Sequence, residues 1–493
     1  MKRLGVWVLV GALGLPACTV GPDYTRPVVT TPDAWYEAHV QGIEQGSAHV
    51  QTWWTVFEDP LLQELIRDAQ DSNKDLQAAY FRILEARAIR GITAGDRYPQ
   101  VDVTAEAGTT EPSESATGLT ERVDTFSLGA GLAWEIDLFG RIRRSVEAAT
   151  AQYDASVEDY RDVLVTLLGE VARNYVGVRT FQAQLFYARS NIDAQQESLK
   201  ITQARFDAGL TSALDVAQAE SNLGRSEAQV PLLEAQLEAA LNRLEVLVGR
   251  PPGALHERLA DVQPIPDPPD EVAIGLPAEL LRQRPDIRRA ERQLAAQTAR
   301  IGVATADLYP RLSLTGFFAS DAGDLADLAT GKSVTWGIGI PLRWNVFSGG
   351  RVQSQIQAER ARADQAFKVY EQSVLRALEE VQTTFVAFAQ ERRRAGQLAE
   401  ATDATQRAVD LVRTQYVSGL TNFQNVLDTQ RTLFELQQQL ADSEGQRVQN
   451  LVALYRALGG GWDVEAPDAT MPVGLRKDAD EERLFSIPPS GGG

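Results

Sequence analysis

The sequence predicts an α+β membrane protein in which a β-barrel wall is joined to long coiled-coil helices. Three observations carry that prediction. Two segments alternate between apolar and small or polar residues over more than ten positions. Apolar residues recur every seven positions through a stretch of about 65 residues without proline. The whole pattern is also written twice. Tyr98-Pro99 recurs as Tyr309-Pro310, 211 residues later. Trp134 recurs as Trp344, Gly140-Arg141 as Gly350-Arg351, Gly209-Leu210-Thr211 as Gly419-Leu420-Thr421 and Gly249 as Gly459, each 210 residues later. Landmarks at so constant an offset mark an internal repeat.

Composition narrows the class. The chain has 493 residues, with 48 Lys and Arg against 67 Asp and Glu, a net charge of -19. An acidic chain lacks the basic face that phosphate neutralisation needs, so no nucleic-acid partner is expected. The single Cys excludes an intrachain disulfide and any cysteine-clustered metal site. Mean hydropathy is -0.23, and the body of the chain has no apolar run of about 18 residues, which excludes helical membrane spans. A β-barrel is not excluded, because its strands alternate.

Enzyme motifs are incomplete. Gly331-Lys332-Ser333 suggests a phosphate loop, but the required glycine five positions before Gly331 is Ala326. Gly129-Ala-Gly131 and Gly337-Ile-Gly339 fall inside alternating segments, where they read as small residues on one strand face. His39, His49 and His256 have no metal-ligand spacing. No serine stands in a nucleophile elbow. No cofactor, metal or catalysed reaction is expected.

The amino terminus carries export chemistry. Met1, Lys2 and Arg3 are followed by a short apolar run, Leu4 to Leu15, so residues 1–17 read as a signal peptide. Leu15-Pro16-Ala17-Cys18 resembles a bacterial lipobox, with the only Cys at the position that becomes lipidated. The bland alternative is an ordinary cleavage site before a buried Cys. Diacyl attachment would anchor the chain stably. Residues 18–60 then form a lipidated amino-terminal extension, and Thr19 after Cys18 favours the outer membrane.

Repeat 1 spans residues 61–250 and repeat 2 spans 276–460, each reading helix, strand, strand, long helix, helix. A Pro-rich connector, 251–275, joins them, and a polar tail occupies 461–493. In repeat 1 the strands start at Val101 and Asp124; Phe126, Leu128, Ala130, Leu132, Trp134 and Ile136 share one face. In repeat 2 they start at Leu312 and Val334; Val334, Trp336, Ile338, Ile340, Leu342 and Trp344 share one face as far as Trp344. Tryptophans at strand ends suit a membrane girdle; the alternative is a half-buried sheet of a soluble sandwich. Leu164, Val171, Val178, Leu185, Ile192, Leu199 and Phe206 form an unbroken heptad, and Val374, Val381 and Phe388 repeat it. At 1.5 Å per residue this gives a rod of about 100 Å. The returning heptad runs Val216, Leu223, Val230, Leu237 and Leu244, with Pro231 predicted to kink or break it.

Four strands cannot close a membrane barrel, and open edges cannot face lipid. Two copies give eight strands, whose interior their own side chains fill. Three copies give twelve strands around an open lumen. A homotrimer is therefore expected, with long rods beneath a barrel: the form of a conduit.

The motifs now resemble the outer membrane efflux protein family, the TolC-like outlets, and in particular the lipoprotein branch serving resistance–nodulation–division pumps. The resemblance covers almost the whole chain. Cys18-Thr-Val-Gly-Pro-Asp-Tyr-Thr-Arg-Pro27 resembles that branch's mature start, and Trp53-Trp54-Thr-Val-Phe57-Glu-Asp59-Pro60-Leu61 its next motif. Pro231-Leu-Leu-Glu-Ala-Gln-Leu237 and Leu247-Val-Gly249-Arg-Pro-Pro252 resemble the end of its first repeat. Arg284-Pro285-Asp286-Ile-Arg-Arg-Ala-Glu291 opens the second, and Leu427-Asp428-Thr-Gln-Arg-Thr-Leu433 with Leu454-Tyr-Arg-Ala-Leu-Gly-Gly-Gly-Trp462 closes it.

The resemblance implies a homotrimeric channel-tunnel: a twelve-stranded outer-membrane β-barrel, four strands per chain, on a coiled-coil periplasmic barrel. It implies as partners a periplasmic adaptor protein and an inner-membrane transporter that supplies the energy. It implies that the helix–turn–helix tips, Gly209-Leu210-Thr211 and Gly419-Leu420-Thr421, contact the adaptor. Asp428 matches the family's periplasmic aperture carboxylate, with Asp215 near the corresponding place in repeat 1. Gln424 stands where this branch often has an apolar residue. The expected function is passive conduction of drugs or other toxic small molecules to the exterior. An outlet for protein secretion and a structural coiled-coil lipoprotein remain as alternatives.

Overall fold

The computed structural model describes residues 19–32, 35, 43–45, 50–111, 113, 115, 122–269, 272–274, 277–279 and 283–463. The signal peptide, Cys18, His39, His49 and the tail from residue 464 lie outside the described residues. In chain order the elements are β1 (Ile43–Gln45), α1 (Pro60–Ser72), α2 (Lys74–Gly95), β2 (Gln100–Thr110), β3 (Val123–Ile136), α3 (Arg141–Asp207), α4 (Ala213–Glu227), α5 (Val230–Leu247) and β4 (Val272–Ile274). They continue with α6 (Pro285–Ala306), β5 (Arg311–Ala322), β6 (Val334–Gly339), β7 (Leu342–Arg343), α7 (Arg351–Val417) and α8 (Phe423–Ala457). The chain divides into two compact units. One comprises Met1–Val28, Arg82–Val157 and Arg289–Gln372; the other comprises Val29–Phe81, Glu158–Arg288 and Ser373–Gly493. Each unit draws on both repeats.

The first unit holds an antiparallel sheet in the order β2-β3-β5-β6, with β7 also paired to β5. Its register puts the alternating residues of every strand in step. Val101 faces Leu132, Val103 faces Ala130, Trp134 faces Leu314 and Phe318 faces Trp336. Directly paired residues share a face of a sheet, so the apolar sets of all strands fall on one side. Asp102, Gly131, Phe317 and Gly337 likewise form one row across the other side. Within this chain β2 and β6 are each paired on one flank only.

One expectation is corrected here. The last strand does not run unbroken to Trp344. It stops at Gly339 and resumes as Leu342–Arg343. Pro341 has no N–H to donate to the ladder. Its carbonyl still accepts from the Ser313 N–H at 3.1 Å, which keeps the interrupted strand on β5. The two tryptophans hold equivalent places: Trp134 Nε1 donates to the Arg97 carbonyl and Trp344 Nε1 to the Leu308 carbonyl, both at 3.0 Å.

The extended segment after Cys18 is bound into the same unit. Val20 N donates to the Phe139 carbonyl at 3.2 Å. The buried Arg144 donates to the Val20 carbonyl at 3.1 Å and pairs with Asp23 at 2.6 Å and Glu147 at 2.7 Å. Tyr24 and Arg26 both reach Glu291, at 3.2 and 3.0 Å.

The helices confirm the heptad and then depart from it. α3 and α7 are each 67 residues long, about 100 Å at 1.5 Å per residue. Leu164, Val171, Val178 and Leu185 are buried in the second unit as the heptad requires. Beyond Leu185 the buried seam moves onto Ala188, Asn191, Gln195, Ser198 and Thr202, leaving Ile192 and Leu199 half-buried and Phe206 exposed. A straight 3.6-residue helix drifts about 20° per heptad, so a strict seven-residue stripe rotates out of the contact. Pro231 does break the returning helix: α4 ends at Glu227 and α5 starts at Val230, whereas α8 runs 35 residues without interruption.

A dense cluster closes the second unit. Trp53 stacks on Tyr455 at 5.6 Å between ring centres. The buried Trp462 ring is contacted by the guanidinium groups of Arg161 at 4.7 Å and Arg288 at 5.3 Å from its centre, and Glu158 pairs with both arginines. Arg284, from the Arg-Pro-Asp motif, donates to the Ala457 carbonyl at 2.6 Å and pairs with Asp286 and Glu380. Burial opposes its charge, but Asp286 and Glu380 more than offset this and raise its pKa.

Two predictions follow from this packing. A Cβ on Gly460 would lie 2.6 Å from the Val50 carbonyl and 3.0 Å from the Tyr455 carbonyl, both backbone atoms that cannot step aside. Gly460→Ala should therefore cost about 1–3 kcal/mol in thermal unfolding. His256 has Nε2 3.0 Å from Glu238 and Nδ1 3.4 Å from the fully buried Glu245. The Glu238 hydrogen bond raises the His256 pKa, burial opposes it, and the charge of Glu238 with smaller contributions from Glu245 leaves the pKa raised. A raised folded pKa gives stability that is full below the unfolded value of about 6.5 and is lost as pH rises through the folded value. The midpoint of thermal unfolding should fall across that window, and His256→Gln should flatten the fall.

Candidate functional site

The two helical tips of the second unit have the same construction. At the end of α3, Leu210 N donates to the Arg205 carbonyl and Gly209 N to the Phe206 carbonyl, both at 2.8 Å. At the end of α7, Leu420 N donates to the Gln415 carbonyl at 2.8 Å and Gly419 N to the Tyr416 carbonyl at 3.0 Å. These paired bonds are the Schellman helix stop, which needs a left-handed residue at the glycine position. Gly209 and Gly419 have φ of 73° and 74°. Each following helix starts on a side-chain cap: Ser212 Oγ accepts from Asp215 N, and Asn422 Oδ1 accepts from Asn425 N.

The tips present apolar side chains to solvent. Leu210 is 66% exposed and Leu420 79%, while Thr211 and Thr421 beside them are half-buried. Leu214 and Val417 widen the two patches. Beneath them Tyr416, Phe423, Val426, Leu427 and Ala219 form a small core. Arg205 fastens it, donating to the Tyr416 carbonyl at 2.8 Å with its guanidinium 4.8 Å from the Tyr416 ring centre. Further along, Arg431 donates to Asn222 at 2.9 Å and Gln430 to Ser198 at 2.9 Å.

Asp428 and Gln424 are exposed on one face of α8, and Gln424 Nε2 donates to Asp428 Oδ1 at 2.9 Å. Asp215 sits differently. It is half-buried at the third position of α4, and its carboxylate bonds the Thr211 hydroxyl. Its place in the repeat corresponds to Asn425, which donates to Thr421 at 2.8 Å. The residue 210 positions before Asp428 is Gln218. The structure thus groups Asp428 with Gln424 and groups Asp215 with the tip turn. Sequence reading missed Arg205, the clasp across the two tips; its repeat counterpart is Gln415, so the doubling gives no signal for it.

The sheet of the first unit supplies the other candidate element. One face carries Leu128, Phe318, Trp336, Ile338 and Leu342, all more than half exposed in this chain. The opposite face carries Asp102, Thr104, Glu106, Ser127, Thr315 and Asp321. A sheet apolar and exposed on one side and polar on the other fits a membrane wall with a wet lumen. Among the described residues no helix is long and apolar enough to cross a membrane, and no acidic, His or Cys cluster could hold a metal ion.

The family model for outer membrane efflux proteins matches residues 65–250 and 276–460. Outer membrane protein OprJ of Pseudomonas aeruginosa is 33% identical, over 93% of this chain and 96% of that protein. The toluene efflux pump outer membrane protein TtgI of Pseudomonas putida is 32% identical, over 92% and 97%. The cation efflux system protein CusC of Escherichia coli is 31% identical, over 92% and 97%. Among solved structures, the outer-membrane channel OprN superposes with a TM-score of 0.84 at 36% identity, covering 90% of this chain and 99% of that one. With one-sided strands, long paired helices and both repeats matched along nearly their full length, the chain belongs to the outer membrane efflux protein family.

Proposed function

We propose that this protein is the outer-membrane outlet of a tripartite efflux pump, passively conducting toxic small molecules to the exterior. The observation that carries the reading is the sheet: four strand lines in register, apolar on one side, polar on the other, with an open flank at each end. Unpaired backbone groups in hydrocarbon cost several kcal/mol each. Three copies would pair every flank and enclose a twelve-stranded lumen. The chain is then a homotrimer, and it catalyses no reaction. Energy enters through an inner-membrane resistance–nodulation–division transporter and its periplasmic adaptor.

The tips support the adaptor assignment. Gly209-Leu210-Thr211 and Gly419-Leu420-Thr421 hold exposed leucines on rigid, doubly hydrogen-bonded turns. Asp428, with Gln424 bonded to it, is the aperture carboxylate of this reading; three copies about an axis would form an acidic ring. Asp215 belongs to the tip turn and contributes to the aperture through the shape of that turn. A lipid at Cys18 anchors the chain, and Val20, two residues on, is held by Phe139 and Arg144, which supports a fixed anchor point. Relatives named for toluene and for cations share this fold, so the fold alone does not select the cargo.

Deleting this protein while its cognate pump stays intact should raise susceptibility to at least one drug or solvent. Unchanged susceptibility to all toxic compounds, with loss of a secreted protein from the medium, would instead identify a protein-secretion outlet. In planar bilayers the purified trimer should conduct weakly, and Asp428→Ala should raise that conductance. An unchanged closed state in the variant would remove Asp428 from the gate.

A further inference from the structure

The polar face of the sheet has one anomaly. Phe317 lies on it, in the row Asp102, Gly131, Phe317, Gly337. It is the only aromatic residue on that face among the described residues of the sheet, and it is 54% exposed. Its ring has a defined seat: a Cβ on Gly337 would lie 2.6 Å from Phe317 Cε1 and 3.0 Å from Cζ. Glycine at 337 therefore lets the ring lie over the neighbouring strand. On the other flank nothing comes within 4 Å of a Cβ on Gly131. The next residue of the row is the carboxylate of Asp102, two strands from Phe317, or roughly 10 Å at the usual strand spacing.

Some charges of this face are paired and others are not. Glu135 is held by Arg141 through two bonds of 2.8 Å, Arg311 pairs with Asp307, and Asp321 accepts from Ser127 at 2.7 Å. Asp102, like Glu106 and Arg343 on the same face, is exposed and has no hydrogen-bond or ion-pair partner among the described residues; of these three, Asp102 alone shares a row with Phe317. The ring, leaning over β6, and the exposed Asp102 carboxylate on β2 thus stand on either side of the bare backbone at Gly131, at least roughly 10 Å apart.

We infer that Phe317 and Asp102 form a docking notch for lipophilic cations on the lumen side of the sheet. The ring takes the apolar body and offers its negative face to the charge, while the carboxylate supplies the counter-charge. A lipophilic anion meets the same ring but is repelled by Asp102. The inference rests on the outlet reading, because only that reading places this face in a lumen. It goes further by naming a chemical class of cargo.

The test compares two ions of the same shape and opposite charge, tetraphenylphosphonium and tetraphenylborate, as blockers of the reconstituted trimer in planar bilayers. Tetraphenylphosphonium should block at a concentration ~10-fold lower than tetraphenylborate, the range of a partly desolvated cation–π contact with a counter-charge. Asp102→Asn should remove the preference between the ions. Phe317→Leu keeps an apolar side chain over Gly337 but loses the ring, and it should raise the half-blocking concentration of the cation several-fold. Gly337→Val, which fills the seat and re-aims the ring, should do the same. Equal block by both ions, or block by the cation that none of the three substitutions alters, would overturn the notch. A trimer with no conductance at all would overturn the outlet reading, and this inference with it.

Discussion

The structure depends on one requirement: every backbone N–H and C=O of the strands needs a partner where water is absent. Within one chain the sheet satisfies this for β3 and β5, which are paired on both sides, and leaves the outer flanks of β2 and β6 open. The unmet bonds are a stronger argument for assembly than any side chain, since each costs several kcal/mol in hydrocarbon. The in-step register makes the same demand from the side chains. A shift of one residue between strands would send tryptophans and phenylalanines to the wet face and carboxylates to the lipid.

Duplication explains the plan, and divergence explains where it is specialised. Both tips keep the same helix stop, the same cap and the same tie from the third helical residue back to a threonine, although one tie uses Asp215 and the other Asn425. Arg205 breaks the symmetry by crossing to the Tyr416 carbonyl and ring. Pro231 breaks it again by dividing one returning helix and not the other. Such departures mark positions where the two copies meet different neighbours.

The seam along α3 shows how a pattern can be read correctly and still mislead. The heptad predicts one apolar line, and its first half is that line. In the second half, polar residues occupy the contact: Ser198 accepts from Gln430, and the Tyr416 hydroxyl donates to Thr202 at 3.3 Å. Of the displaced residues, Leu199 packs against the small core beneath the tips and Phe206 is exposed. These two bonds between helices set register more narrowly than interchangeable leucines do, because a slip would leave the Gln430 amide and the Tyr416 hydroxyl unpaired.

The amino-acid sequence by itself determined the repeat, the alternating strands, the length of the rods and the break at Pro231, because each rests on local spacing or on a single residue's backbone chemistry. It also placed glycines at 209 and 419, where a left-handed turn is required. Only the tertiary structure decided which residues share a row across the sheet, that Pro341 interrupts the last strand without detaching it, and that Asp215 serves a turn while Asp428 is exposed and bonded to Gln424. It alone paired Arg205 with Tyr416 and set Phe317 over Gly337 in line with Asp102. These are contacts between residues far apart in the chain, fixed by strand register and helix rotation, and neither quantity is written in the spacing of any one segment.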